Sequence, residues 1–228
     1  MAEKQNIITI DGPSGAGKST ISKLLAAKLG YTYLDTGAMY RVVGLGVKRS
    51  GLDLEAENAK ERLMELLATL NMTLAPGEKG QETRALLNGE DVSDAIRTPE
   101  MSMVASRVSA LPEVRKKLTV MQRSIGSNGA VVAEGRDMGT MVFPDAKYKF
   151  FLDATPEDRA TRRQDQLLKK GQKVDYEELL AQIQKRDRDD SSRSLAPLKP
   201  AVDAVVIDSS EMSIDEVVSF MLNAVNGK

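Results

Sequence analysis

The run Gly12-Pro13-Ser14-Gly15-Ala16-Gly17-Lys18-Ser19-Thr20 gathers, in one short stretch, the residue types needed to hold an anion. Its spacing is G-x-x-x-x-G-K-[ST], which predicts a loop wrapped around the phosphates of a nucleoside triphosphate. Glycines reach positive φ and let the chain curl without Cβ clashes. Successive amide N–H groups can then converge on phosphate oxygens. Lys18 has the reach to meet the β- and γ-phosphates, and the Ser19 hydroxyl suits Mg2+. A helix opening at this point directs its positive dipole end at the same anion.

Two further stretches set arginine beside glycine where strands are expected to end. Residues 31–34 run into Asp35-Thr36-Gly37-Ala38-Met39-Tyr40-Arg41. Residues 131–133 run into Glu134-Gly135-Arg136-Asp137-Met138-Gly139-Thr140. Ligands of open α/β sheets gather at the carboxyl ends of the strands, so Arg41 and Arg136 are candidate anion clamps. The alternatives are a helix cap with a solvated Arg41, and a loop salt bridge at Arg136. Arg159, Arg162 and Arg163 share one face of a predicted helix. The densest charge cluster is Lys185-Arg186-Asp187-Arg188-Asp189-Asp190-Ser191-Ser192-Arg193. It reads either as a solvated face or as a mobile lid whose arginines close over a triphosphate and exclude water.

The chain contains no Cys, no His and no Trp. That excludes thiol nucleophiles, imidazole bases, zinc sites built on either, and histidine phosphotransfer. Phosphoryl transfer survives the exclusion, because it rests on positioning and on charge stabilisation by Lys, Arg and Mg2+. The formal net charge is −1, so no overall field draws the protein to nucleic acid or to an anionic membrane. No run approaches a membrane span and residues 1–5 lack a secretory pattern. A cytoplasmic protein with no nucleic-acid and no membrane partner is expected, and the near-neutral chain fits a monomer.

The elements that must position these residues follow from periodicity. Residues 7–10 read as a buried parallel strand leading into the phosphate loop. Ile21, Leu24, Leu25, Lys28 and Leu29 give the following helix its stripe, and Gly30 stops it. Residues 52–70 read as a helix with Leu63, Leu66, Leu67 and Leu70 on one face. Residues 76–80 are turn-rich, and Asn88-Gly89 predicts a hairpin flanked by residues 85–87 and 91–92. Thr98-Pro99 opens a helix carrying Ser106, and another from Pro112 to about Gly126 carries Arg115. Strands are predicted at 131–133, 149–152 and 204–207, with helices opening at Thr155-Pro156, near Asp175 and at the capping box Ser213-x-x-Glu216. Five strands alternating with helices imply an α/β fold of the P-loop NTPase type. The expectation is a five-stranded parallel sheet with helices on both faces, a small inserted β-hairpin subdomain and a helical lid. One domain spanning 1–228 should carry the insert at about 70–100 and the lid at about 155–190.

With these residues in view, the chain resembles the bacterial cytidylate kinase family over nearly its whole length. The resemblance is carried by Ile10-Asp11 with the phosphate loop, Asp35 to Arg41, Gly89-Glu90-Asp91-Val92, Ile96-Arg97-Thr98, Glu134 to Thr140, and Arg186-Asp187 through Asp190-Ser191-Ser192-Arg193 to Ala196-Pro197-Leu198. It implies transfer of the ATP γ-phosphoryl group to CMP or dCMP, giving ADP and CDP or dCDP. Gly12 to Thr20 then resemble the ATP and Mg2+ site, with Ser19 as metal ligand beside nucleotide phosphates and water. Thr36, Arg41 and Arg136 fall where the family binds the acceptor, both arginines as phosphate clamps. Ser106, Arg115 and Asp137 fall where it reads cytosine. Arg186, Asp190 and Arg193 fall where it holds the ribose and the rest of the nucleotide. Arg159, Arg162 and Arg163 resemble donor-phosphate contacts. The catalytic set is thus Lys18, Arg41, Arg136, Arg162 and Arg163, acting electrostatically with no general base. The alternative is another P-loop small-molecule kinase, acting on UMP, AMP or shikimate. No Asn-Lys-x-Asp guanine-reading motif is present, which argues against a GTPase switch.

Overall fold

The computed structural model describes residues 6–75, 83–169 and 171–227. The turn expected at 76–80 and the opening residues 1–5 lie outside them. In chain order the elements are β1 (Ile7–Asp11), α1 (Lys18–Leu29), β2 (Thr32–Asp35), α2 (Thr36–Arg49), α3 (Ala59–Thr69), β3 (Met72–Ala75), β4 (Arg84–Leu87) and β5 (Glu90–Asp91). They continue with α4 (Pro99–Val108), α5 (Pro112–Gly126), β6 (Val131–Gly135), β7 (Tyr148–Asp153), α6 (Pro156–Leu168), α7 (Tyr176–Ser191), β8 (Val205–Asp208) and α8 (Ile214–Asn226). A 3-10 turn at Ala95–Arg97 and a π-helical turn at Met138–Val142 complete the described elements. The chain divides into two compact units, residues 1–34 with 125–228, and residues 35–124.

The first unit is built on a five-stranded parallel sheet of order β2-β6-β1-β7-β8. β1 pairs with β6 from Ile7↔Val131 to Asp11↔Gly135, and on its other side with β7 from Ile8↔Tyr148 to Asp11↔Phe151. All five strands expected from the sequence are present. The central strands β1, β6 and β7 are largely buried and read as short, nearly continuous apolar runs, whereas β2 and β8 lie at the edges and are partly exposed. Ile8, Ile10, Val132, Phe150, Leu152 and Ile207 form one buried core with Ile21, Leu25 and Ala26 of α1 and Val217, Val218 and Met221 of α8. Leu24, expected in the α1 stripe, is 38% exposed, and its place in the buried face is taken by Ser22 and Ala26. Gly30 closes α1 at φ 67, and the capping box of Ser213 with Glu216 opens α8.

The second unit differs from expectation in two ways. Its β-structure is a three-stranded antiparallel sheet of order β3-β4-β5 rather than a hairpin alone. β3 adds to β4 from Met72↔Leu87 to Ala75↔Arg84, on the edge opposite β5. The helix expected over 52–70 begins only at Ala59. The Asp53 carboxylate accepts from the Glu55 amide at 3.0 Å, and the Ala56 amide donates to the Asp53 carbonyl. Such local bonds compete with helix formation. In the first unit, α7 extends to Ser191, so most of the 185–193 charge cluster is helical.

One backbone approach sets up the phosphate loop. Gly12 sits at φ +148, and a Cβ built on it would lie 2.0 Å from the Leu152 carbonyl oxygen at the end of β7. Gly12→Ala should therefore lower the unfolding free energy by at least about 3 kcal/mol through overpacking and strain. Urea denaturation checks this, and an unchanged midpoint would contradict the close packing of loop on strand.

Candidate active site

The phosphate loop connects the carboxyl end of β1 to the first turn of α1. Gly15 and Gly17 take φ values of 86 and 90, the left-handed region the loop requires. Ala16 is buried beneath the loop, while Ser14 is half-buried and Gly15, Ser19 and Thr20 are exposed at its mouth. Gly17 caps α1 without a side-chain acceptor, so the amides of its first turn are left for a ligand.

Lys18 opens α1 and is only 7% exposed. Its ammonium donates to the Pro13 carbonyl at 2.5 Å, across the loop. Burial, then the charges of Arg136 and Arg186, drive its pKa well below the ordinary lysine value, while Glu134 and Asp11 oppose them. The buried ammonium has a carbonyl as its hydrogen-bond acceptor, and a triphosphate would offer it anionic oxygens.

Asp11 and Glu134 end adjacent strands and are both buried. Asp11 accepts from the amides of Met138 and Gly139, each at 2.8 Å. It thereby pins the turn that follows Arg136 and Asp137. Burial pushes its pKa up to about 6, against the two amide bonds and Lys18, which pull it down. Glu134 accepts a short hydrogen bond from the Tyr33 hydroxyl. Neither carboxylate was given a role from sequence. The available signal was an acidic residue closing an otherwise apolar strand beside a glycine.

Asp190, buried on α7, is the hub of the arginines. It accepts from Arg136 at 2.9 Å and, more closely, from Arg193, with Arg186 4.0 Å away. Burial would raise its pKa, but Arg136, Arg193 and Arg186 together outweigh it and hold the carboxyl below the usual range. Arg186 also donates to the Ser14 hydroxyl at 3.2 Å. Asp137 is buried one residue beyond Arg136. The structure thus brings Lys18, Arg136, Asp137, Arg186, Asp190 and Arg193 into one neighbourhood of the first unit.

Arg159, Arg162 and Arg163 share α6 but not their partners. Arg159 is 2% exposed and bound to Asp187, Ala154 and Ser14. Arg162 donates to the carbonyls of Ser209 at 2.5 Å and Ser210 at 3.3 Å. Arg163 meets Gln166 at 3.3 Å and stays half-buried.

In the second unit, Asp35 caps α2 by accepting from the Ala38 amide at 2.7 Å, and its other oxygen lies 3.4 Å from Arg41. Thr36 is buried in the first turn of α2, and Ser106 lies half-buried on α4. Arg115, buried on α5, donates to the Ser109 carbonyl at 2.7 Å, and its guanidinium stands 5.7 Å from the Tyr40 ring centroid. Tyr40 and Ser109, absent from the sequence-based site, orient it.

The chain is similar to known proteins over nearly its whole length. The family model described as Cytidylate kinase matches residues 8–227. A cytidylate kinase of Carboxydothermus hydrogenoformans is 49% identical over 97% of this chain and 97% of its own. One from Vibrio vulnificus is 47% identical over 100% of this chain and 99% of its own. An uncharacterized protein from Eubacterium ventriosum, solved by crystallography, has a similar fold at TM-score 0.50 with 13% identity, covering 99% of this chain and 100% of that one.

The raised pKa of Asp11 has a consequence for stability. It favours the protonated folded form, so its contribution is fully present below the unfolded carboxyl value of 3.8 and is lost as pH rises through about 6. Relative to Asp11→Asn, the wild-type protein should lose about 3 kcal/mol between pH 4 and pH 7. Paired urea denaturations across that range measure the difference, and a constant offset would contradict the burial of the carboxylate.

Proposed function

Because the chain belongs to the cytidylate kinase family, we propose that it transfers the γ-phosphoryl group of ATP to CMP or dCMP, giving ADP and CDP or dCDP. The observation that carries the reading is the buried Lys18, donating to a loop carbonyl in a glycine loop at the carboxyl end of β1. Residues 12–20 bind the ATP phosphates through loop amides and Lys18. The lid at about 155–190 closes over the donor, with Arg162 and Arg163 meeting the transferring group.

The acceptor is held by its phosphate and read by its base. Arg41 and Arg136 clamp the phosphate, Thr36 supports the same end, and Arg186, Asp190 and Arg193 engage the sugar and the rest of the nucleotide. Asp190 already binds two of these arginines, which keeps their guanidinium groups oriented before a nucleotide arrives. Ser106, Arg115 and Asp137 read cytosine. Asp137 accepts from the exocyclic amine; uracil offers a carbonyl there, and two acceptors face to face in a dry pocket are unfavourable. The acceptor phosphate is already anionic, so the chain supplies no general base. Its contribution is alignment of the two nucleotides and neutralisation of the charge that develops between them.

Mg2+ fits the residues present. A hard cation takes oxygen donors, and the Ser19 hydroxyl at the mouth of the loop and the buried Glu134 carboxylate near the end of β6 would provide them. Among the described residues no cluster of three or more acidic side chains could hold a metal by itself; Ser19 and Glu134 would hold the ion together with oxygens of the triphosphate. When bound, it shields phosphate charge. Residues about 70–100 contribute to the acceptor lobe. The protein works as a cytoplasmic monomer; among the described residues no helix is long and apolar enough to cross a membrane.

A coupled ADP-release assay with ATP, Mg2+ and each of CMP, dCMP, UMP, AMP and shikimate tests the reading. Turnover should be strong with CMP and dCMP and weak with the others; UMP or AMP matching CMP would overturn it. Asp137→Ala should narrow the CMP-to-UMP ratio of kcat/KM by roughly tenfold or more, and an unchanged ratio would remove Asp137 from base reading.

A further inference from the structure

Arg159 is the least exposed of the arginines expected to touch ATP, and its guanidinium is already committed. Nε donates to the Ala154 carbonyl at 2.9 Å, and one terminal nitrogen reaches both the Ser14 carbonyl and Asp187 Oδ1 at 3.1 Å. The other meets Asp187 Oδ2 at 2.6 Å. These bonds use most of the five N–H donors of the fork. A direct contact with ATP would require Arg159 to leave Asp187.

We infer that Arg159 is a positioning residue for the phosphate loop, braced by Asp187 of α7, and not a ligand of ATP. This rests on the reading of residues 12–20 as the donor site. The peptide unit is planar and trans, so the Ser14 carbonyl and the Gly15 N–H point in opposite directions. By holding the Ser14 carbonyl on its own side, Arg159 turns the Gly15 N–H to the other side, where a loop of this kind gathers phosphate. The loop rests directly on the arginine stem: a Cβ built on Gly15, at φ +86, would lie 3.2 Å from Arg159 Cβ. Ser14 is gripped a second time, through its hydroxyl, by Arg186 of α7. Asp187 neutralises the buried guanidinium and fixes its plane by bidentate pairing. The orientation of one loop amide is therefore transmitted from α7 through α6.

Calorimetric binding of ATP and of inorganic tripolyphosphate tests this on wild type, Asp187→Asn, Arg159→Lys, Arg159→Met and the Arg159→Met/Asp187→Asn double variant, with thermal unfolding and the KM for CMP alongside. Asp187→Asn should weaken both ligands by roughly tenfold. Arg159→Lys should not restore wild-type affinity, since one ammonium cannot hold Ser14 and pair bidentately with Asp187. The double variant should bind no more weakly than Arg159→Met alone, and the KM for CMP should stay within about twofold. ATP binding as tight as wild type or tighter in Asp187→Asn would overturn the inference, because a freed Arg159 would then be a direct ligand. A fall in melting temperature with unchanged ATP affinity would overturn it equally. Should Arg159→Met fail to fold, Asp187→Asn carries the test alone. The binding arm needs no acceptor, so a wild type that binds ATP without phosphorylating CMP would remove the kinase reading and leave this inference to the affinities.

Discussion

The structure depends on keeping a cluster of positive charge at the carboxyl ends of β1 and β6 without letting it repel itself apart. Lys18, Arg136 and Arg186 are close enough for the two arginines to depress the lysine pKa. In a low-dielectric setting such repulsion is far larger than in water. The fold answers with carboxylates that are themselves buried: Asp11 and Glu134 at the strand ends, and Asp190 on α7. Each is held by groups other than the lysine, Asp11 by two amides, Glu134 by Tyr33 and Asp190 by arginines. Lys18 is left with a carbonyl, so the anion that satisfies it best comes from a ligand.

The same economy governs backbone geometry. The loop lies against β7 at Gly12, where a side chain would clash with the Leu152 carbonyl, and against α6 at Gly15, where one would crowd the Arg159 stem. Glycine at these points serves contact as much as conformational freedom. The loop is therefore shaped from outside, by the Leu152 carbonyl and the Arg159 stem, as well as by its own φ values. Pinning of Met138 and Gly139 by Asp11 does for the Arg136–Asp137 turn what Arg159 does for the loop: an ionised group inside the fold dictates where backbone amides point.

Much of this was legible in the sequence, and the reason is the parallel sheet. Strands such as residues 131–133 stand out because both faces are covered, and each leads to a loop whose glycine and arginine announce a ligand edge. What escaped were features set by partners distant in sequence. β3 exists because β4 offers it a free edge, and nothing local in Met72–Ala75 announces that pairing. Leu24 fits the helical stripe by type, yet its position leaves it outward, and Ser22 is buried instead. The 185–193 run reads as a solvated face or a lid, and neither reading announces the pairing of Asp187 with Arg159, which forms only where α6 lies beside α7. Asp11 stood in plain view beside the motif, but its work depends on amides more than a hundred residues away.

The missing histidine now has a physical reading. A reaction between two phosphate groups needs fixed positive charge and has no proton that the protein must remove, so arginine, which stays protonated throughout the working pH range, is the economical catalyst. Burial perturbs two groups beside the loop, driving Lys18 well below the ordinary lysine value and pushing Asp11 up to about 6. These two have opposite charge and act on each other, so each makes the other easier to keep ionised. The Asp11 carboxylate accepts both amides of the turn beyond Arg136, so the residue beside the phosphate loop also fixes the backbone beside the arginine.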